Sequence, residues 1–315
     1  MGKAYSINGY LNAALRRTGK TLLVEGPTDK LALHRIAIER YPETAGSVAI
    51  DHAGMLDDAQ LTGLGNKARV LHVQTCSDAL KATVPKIEAV LATLIDREWD
   101  GILFNYYLPE PGWAEPVQHP NRFTTLGHSI ENYHFDLDCA KEYLKFGFAE
   151  HVSAQLFAEL EARFSAILVL SSVLSLKIKD DACVSRCASL IDISHLNYQN
   201  QRYHLAPSFG IACATRGLPT AVTIVTDVNV AIDAIWDQLH TSTAIKWIPH
   251  GHIGDDILWT SVAHVTISCG VPLEIAKEVA HGRKKDRERF KAQWLSSALA
   301  EKRVPLDQSV DWLHT

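Results

Sequence analysis

Glu25 closes an apolar run, Thr21-Leu22-Leu23-Val24, and is followed by Gly26 and, four residues on, by Asp29. A second apolar run, Val90 to Ile95, empties into Asp96, Glu98 and Asp100. Both runs have the length and composition of buried strands, and parallel strands present the residues at their carboxyl ends to a common crevice. Carboxylates converging there are hard oxygen donors suited to Mg²⁺ or Mn²⁺. A divalent ion held there can activate a water, neutralise phosphate oxygens and help a leaving oxygen, the three things phosphodiester hydrolysis needs. Glu25 is then the first ligand and candidate general base, and Asp96 the second ligand. Glu98 points to the same side as Asp96 if the chain stays extended. Asp29 and Asp100 complete the candidate ligands, although Asp29 also fits a helix N-terminus, where a carboxylate is favoured.

Two further segments carry polar groups in compact spacing: Ser129-Ile130-Glu131-Asn132-Tyr133 and Pro249-His250-Gly251-His252-Ile253-Gly254-Asp255-Asp256. The Leu-Val-Glu-Gly-x-x-Asp-Lys run ending at Lys30, the apolar segment ending in Asp96-Arg97-Glu98, and the Ser129 to Tyr133 segment, in that order, resemble the Toprim-domain nucleases of bacterial anti-phage systems. These include the effectors of PARIS-type systems and are related to the OLD-type nucleases. The likeness covers roughly residues 20 to 135. It implies a Toprim-like parallel-sheet core and a metal-dependent nuclease that acts as a toxic effector. It also implies tRNA as target, a homodimer, and an ABC-type ATPase partner that keeps the effector silent until infection. Glu131 matches the family's further acidic position, with Ser129 and Asn132 as supporting hydrogen-bonders. Where the family usually has Asp-x-Asp, this chain has Asp96-x-Glu98, which keeps the charge and lengthens the arm; Asp100 is the substitute. Where relatives place a lysine, this chain offers His250 or His252, with Lys246 just upstream. The implied catalytic set is Glu25, Asp96, Glu131 and His252. The rival class is a non-catalytic Toprim-fold module that scaffolds the ATPase; the retained acids argue against it.

These residues need an α/β framework. Residues 9–17 read as a short amphipathic helix, Thr21 to Val24 as a strand, Thr28 to Tyr41 as a helix and Val48 to Ile50 as a second strand, a β-α-β unit whose natural pairing is parallel. Val70 to Val73 reads as a strand, Asp78 to Glu88 as a helix and Val90 to Ile95 as the next strand. Pro85 allows an alternative, a helix running to Ile95 with the strand at Gly101 to Tyr107. Asn105 to Asn121 is proline-rich loop, and Arg122 to Thr125 is extended. Asp136 to Phe146, with Asp136 as N-cap, and Ser153 to Lys179 are helices. The next strand signal is Ala244 to Ile248, a return toward the sheet, after which Pro272 to Glu301 is helical. The expected division is therefore a Toprim-like core at 1–135, a mostly helical insertion at 136–243 that is a candidate dimerisation region, and a C-terminal part at 244–315.

With 47% hydrophobic and 21% charged residues among 315, the chain has the composition of an ordinary globular protein. No uncharged stretch approaches bilayer-spanning length, and Met1 to Ile7 lacks an apolar core of signal-peptide length. The expected location is the bacterial cytoplasm, with no membrane partner. Six dispersed cysteines predict reduced thiols. Cys183 and Cys187 have zinc-compatible spacing, but no second pair completes a site. A net charge of -5 does not advertise nucleic-acid binding, although Arg283 to Lys291 forms a local basic strip. Ala14 to Thr21 satisfies a loose Walker A pattern. A phosphate loop follows a strand and opens a helix; here a helix precedes the pattern and a strand follows it, so the pattern is read as a helix end and strand entry.

Overall fold

The computed structural model describes residues 4–103, 112–180, 183–187, 189–297, 300 and 303–315. The N-terminal part runs α1 (Ile7–Arg16), β1 (Thr21–Val24), α2 (Pro27–Arg40), β2 (Ala49–His52), α3 (Asn66–Lys81), α4 (Lys86–Val90) and β3 (Leu91–Ile95). After β4 (Ile102–Leu103), β5 (Gly112–Trp113) and β6 (Arg122–Thr124) come α5 (Leu137–Phe148), α6 (Ala154–Asp180) and α7 (Val184–Cys187). A hairpin of β7 (Leu196–Gln199) and β8 (Arg202–Leu205) precedes α8 (Pro207–Thr215), α9 (Ile224–Leu239) and α10 (Gly251–Ser268). The chain continues through α11 (Leu273–His281), α12 (Lys284–Ser296) and α13 (Leu306–His314). No helix among the described residues is long and apolar enough to cross a membrane.

Two compact units result, one of residues 1–97, 115–126 and 288–315, the other of 98–114 and 127–287. These differ from the three sequence segments. The acidic run is divided after Arg97, and the chain's C-terminal end belongs with the N-terminal unit. There, the Lys20 Nζ donates to the Trp312 carbonyl at 3.0 Å and lies 4.6 Å from that indole ring. Arg40 pairs with Asp307 and Asp311, and the Tyr41 hydroxyl donates to Asp311 at 2.8 Å. Lys20 thus anchors α13, at the entry of a strand rather than of a helix.

The first unit is built on a four-stranded parallel sheet in the order β2-β1-β3-β6. Leu23 and Leu91 join a core with Tyr10, Leu11, Val70, Val73 and Ile87, while Leu22, Val24, Ala92 and Leu94, on the alternate parity, are buried as well. Burial on both faces is why β1 and β3 read as continuous apolar runs. Val70 to Val73 is not a strand. Val70, Val73 and Ser77 are buried at helical spacing along α3, a stripe that a four-residue window mistakes for a strand. The helix expected over Asp78 to Glu88 is split instead: α3 ends at Lys81, and Pro85 caps the short α4, which stops where β3 begins. Asp96 therefore follows a strand, as the first reading requires.

The second unit is mainly helical. Asp136 caps α5 through its Oδ1, which accepts from Asp138 N at 2.8 Å and Cys139 N at 3.2 Å. The β7–β8 hairpin went unread because its two-residue turn is Asn200-Gln201, both at positive φ (50° and 63°), without the Asn-Gly signature. The return strand at Ala244 to Ile248 is a 3-10 turn over Ile245–Trp247, whose Lys246 and Trp247 carbonyls accept from the Asn132 side chain and His128 N rather than from a ladder. Within 105–121, residues 105–111 lie outside the described set, and Gly112–Trp113 pairs with β4. The helix expected over Pro272 to Glu301 breaks at Gly282-Arg283, where Arg283 has φ 47°.

Candidate active site

In the first unit the chain leaves β1 toward β2 on one side, whereas β3 is followed by β6 on the other. The order therefore reverses between β1 and β3, the place where open parallel sheets leave a crevice at their carboxyl ends. Glu25 is the residue after β1 and Asp96 the residue after β3. Glu25 Oε1 accepts from Asp96 N at 2.8 Å, so the Glu25 carboxylate sits against the Asp96 backbone at that reversal, and both residues are half-buried. Arg97, almost fully buried, fixes the exit of β3: its N–H donates to Thr125 Oγ1 at 2.9 Å and its guanidinium to the Leu126 carbonyl at 3.1 Å. The Lys67 ammonium donates to the Arg97 carbonyl at 3.1 Å.

Asp29 has a different task. It is the third residue of α2, and its Oδ2 accepts from Gly26 N at 2.8 Å, satisfying the N-cap amide of that helix. This bond accounts for its burial without a metal.

The remaining predicted residues belong to the second unit. Glu98 is exposed in a turn at φ 56°, and its N–H donates to the His128 carbonyl at 2.6 Å. Extended chain was the premise for aligning it with Asp96, and that premise fails. Asp100 is exposed in the same turn. Between them, the Trp99 ring meets His128 edge-on at 4.7 Å, with the Lys179 ammonium 5.1 Å from the indole centroid. Trp99 and His128 were not singled out from the sequence, although one lies inside the acidic run and the other directly before Ser129.

The Ser129 to Tyr133 and Pro249 to Asp256 segments form one construction. Asn132, fully buried, receives Ser129 N on its Oδ1 at 2.9 Å and donates to the carbonyls of Lys246 and Pro249, each at 2.9 Å. This clamp holds Glu131 against the start of α10. There Glu131 Oε1 lies 3.6 Å from His252 Nδ1, with the Glu131 side chain 14% exposed and that of His252 76% exposed. A carboxylate beside an imidazole orients the ring, and the α10 N-terminus favours the negative charge. His252, Gly254, Asp255 and Asp256 are helical, not loop; Asp255 accepts from Trp259 Nε1 at 2.9 Å and Asp256 from Ser189 N at 2.7 Å. Lys246 lies over Trp247 and acts electrostatically on Asp136.

No family model and no curated protein matches the chain.

His250 is the N-cap of α10, 4.4 Å from the His128 ring and 6.0 Å from that of His252. Burial first, and then His252, push its imidazole down to about 4, against an opposing pull from Glu131. A histidine depressed from an unfolded value of about 6.5 stabilises the fold fully above that pH and loses the contribution as pH falls toward about 4. His250→Asn keeps a capping side chain and removes the titration. Acidification from pH 7 to 4 is expected to lower the Tm of the parent more steeply than that of the variant; equal slopes would show that His250 does not titrate as described.

Proposed function

We propose that this chain is a metal-dependent nuclease of the Toprim class. The observation that carries the proposal is the placement of the Glu25 carboxylate against the Asp96 backbone at the β1–β3 reversal, bonded to the Asp96 amide. Glu25 and Asp96 are the residues that would hold the ion. The donor set fits Mg²⁺ or Mn²⁺: both are carboxylates, and Mg²⁺ is satisfied by one or two carboxylates together with waters and substrate phosphate. Two carboxylates without cysteine or histidine are not the donor set of a structural zinc site. When bound, a divalent ion supplies charge neutralisation on the phosphate oxygens and acidifies a coordinated water. Glu25, oriented by the Asp96 N–H, takes up a proton from water at its carboxylate. The Glu131–His252 pair is an acid–base couple in its own unit, and its contribution is measured separately through His252→Asn.

The remaining parts rest on the resemblance of the three motifs alone: tRNA as substrate, a homodimer, an ABC-type ATPase that restrains the chain, and toxicity to the bacterial cell during infection. A non-catalytic module that scaffolds the ATPase is the second reading.

Incubating the purified chain with tRNA and, separately, with plasmid DNA distinguishes these readings. Cleavage is expected with Mg²⁺ or Mn²⁺, to stop with EDTA, and not to return with Zn²⁺ alone. Asp96→Asn should nearly eliminate it, whereas Glu98→Asp should be tolerated, because Glu98 is exposed and a shorter acid suits positive φ. Cleavage by Asp96→Asn at the parental rate would remove Asp96 from the site, and no cleavage of either substrate under any metal would favour the scaffold.

A further inference from the structure

Where the β3–β6 ladder runs out, a side chain makes the next rung. Along this edge Thr93 N donates to the Asn121 carbonyl at 3.0 Å and Thr125 N to the Ile95 carbonyl at 3.1 Å, in the register Thr93↔Arg122 and Ile95↔Thr124. Bonds on one edge of a parallel strand recur at every second residue, so the rung after Ile95 would carry Arg97 N to the Thr125 carbonyl. The Thr125 hydroxyl takes that amide instead, at 2.9 Å. The bond is buried, with Thr125 1% and Arg97 3% exposed. A buried amide deprived of its acceptor is costly, so this hydroxyl has strong hold on the peptide between Asp96 and Arg97.

Asp96 therefore lies between two peptides that are each held by a side chain. Its own N–H goes to Glu25 Oε1 at 2.8 Å, on the β1 side, and the N–H of the following peptide goes to Thr125, on the β6 side. Each peptide is planar, so holding the two planes that flank Asp96 sets the direction in which its Cα–Cβ bond leaves the chain. Lys67 Nζ adds a hold on the Arg97 carbonyl at 3.1 Å. Glu25 is itself a proposed ligand, whereas Thr125 is uncharged and spends its oxygen on the Arg97 amide. We infer that Thr125 is a positioning residue of the metal site, its hydroxyl aiming the Asp96 carboxylate at the ion. The inference rests on the reading of Glu25 and Asp96 as metal ligands.

Mn²⁺ binding to the full chain, followed through the EPR signal of the free ion with no nucleic acid present, tests it apart from catalysis. Thr125→Ser keeps the acceptor oxygen and should bind Mn²⁺ as the parent does. Thr125→Val matches threonine in shape and lacks the acceptor; its affinity should be about tenfold weaker, the order of one lost hydrogen bond. Thr125→Ala is a second hydroxyl-free form, read in place of valine if circular dichroism shows that the valine variant does not fold. Thr93→Val is the control, since it removes another buried hydroxyl of β3, one bonded to the Gln74 side chain at 3.1 Å, and should bind as the parent does. Parental affinity in the folded hydroxyl-free variants would overturn the inference and leave the metal site standing. Equal weakening in Thr93→Val or in Thr125→Ser would do the same. No Mn²⁺ binding by the parent, or binding that Glu25→Ala leaves unchanged, would contradict the metal-site reading and the inference with it.

Discussion

Glu25→Ala is expected to abolish cleavage, and with it any growth inhibition in cells, while the protein remains folded. Glu25 stands beyond the last residue of β1 and is half-buried, so no core volume is lost. Its one described hydrogen bond to Asp96 N is worth about 1–2 kcal/mol net, which lowers the Tm by a few degrees. The loss of a ligand and general base costs much more, about 10²–10⁴-fold in rate for the proton-transfer role alone. Circular dichroism and a cleavage assay on the same preparation separate the two effects. A folded Glu25→Ala protein with parental activity would remove the β1–β3 crevice from the chemistry.

Gly251→Ala is expected to be strongly destabilising, against the usual preference of helices for alanine over glycine by about 1 kcal/mol. Gly251 is the first residue of α10, and a Cβ there would collide with Ser129 Oγ and lie 2.7 Å from Glu131 Oε2. Because Asn132 clamps that turn to the Lys246 and Pro249 carbonyls, Ser129 and Glu131 have little room to retreat. The expected loss is about 1–3 kcal/mol, typical of overpacking, accompanied by displacement of Glu131 from His252. Gly147→Ala near the end of α5 is the control, since nothing lies within 4 Å of its added Cβ. Urea denaturation of both variants reads the difference; equal stabilities would mean that the Glu131 turn yields easily.

The parallel core was legible because β1 and β3 bury both faces and so appear as unbroken apolar runs bounded by glycine and acids. Asp96 could be placed at a strand end for the same reason. The reading failed where side chains replace the local signal. Ile245–Trp247 has the apolar content of a strand, yet the Asn132 side chain takes the carbonyls of Lys246 within it and Pro249 after it, a long-range event that no short window contains. Glu98 was aligned with Asp96 on the assumption of extended chain, and its positive φ turns it elsewhere. Asp29 could be read both as ligand and as cap, and the bond to Gly26 N is the capping one. The pairing of Glu131 with His252 joins residues more than a hundred positions apart, so only the fold displays it.

Cleavage by the purified chain, measured against Mg²⁺ concentration for the parent, Glu25→Ala and Asp96→Asn, tests the central claim most directly. The account predicts saturable Mg²⁺-dependent cleavage by the parent and none above background by either variant, with all three giving the same circular dichroism spectrum. Mg²⁺-dependent cleavage retained at the parental rate in both folded variants would contradict it.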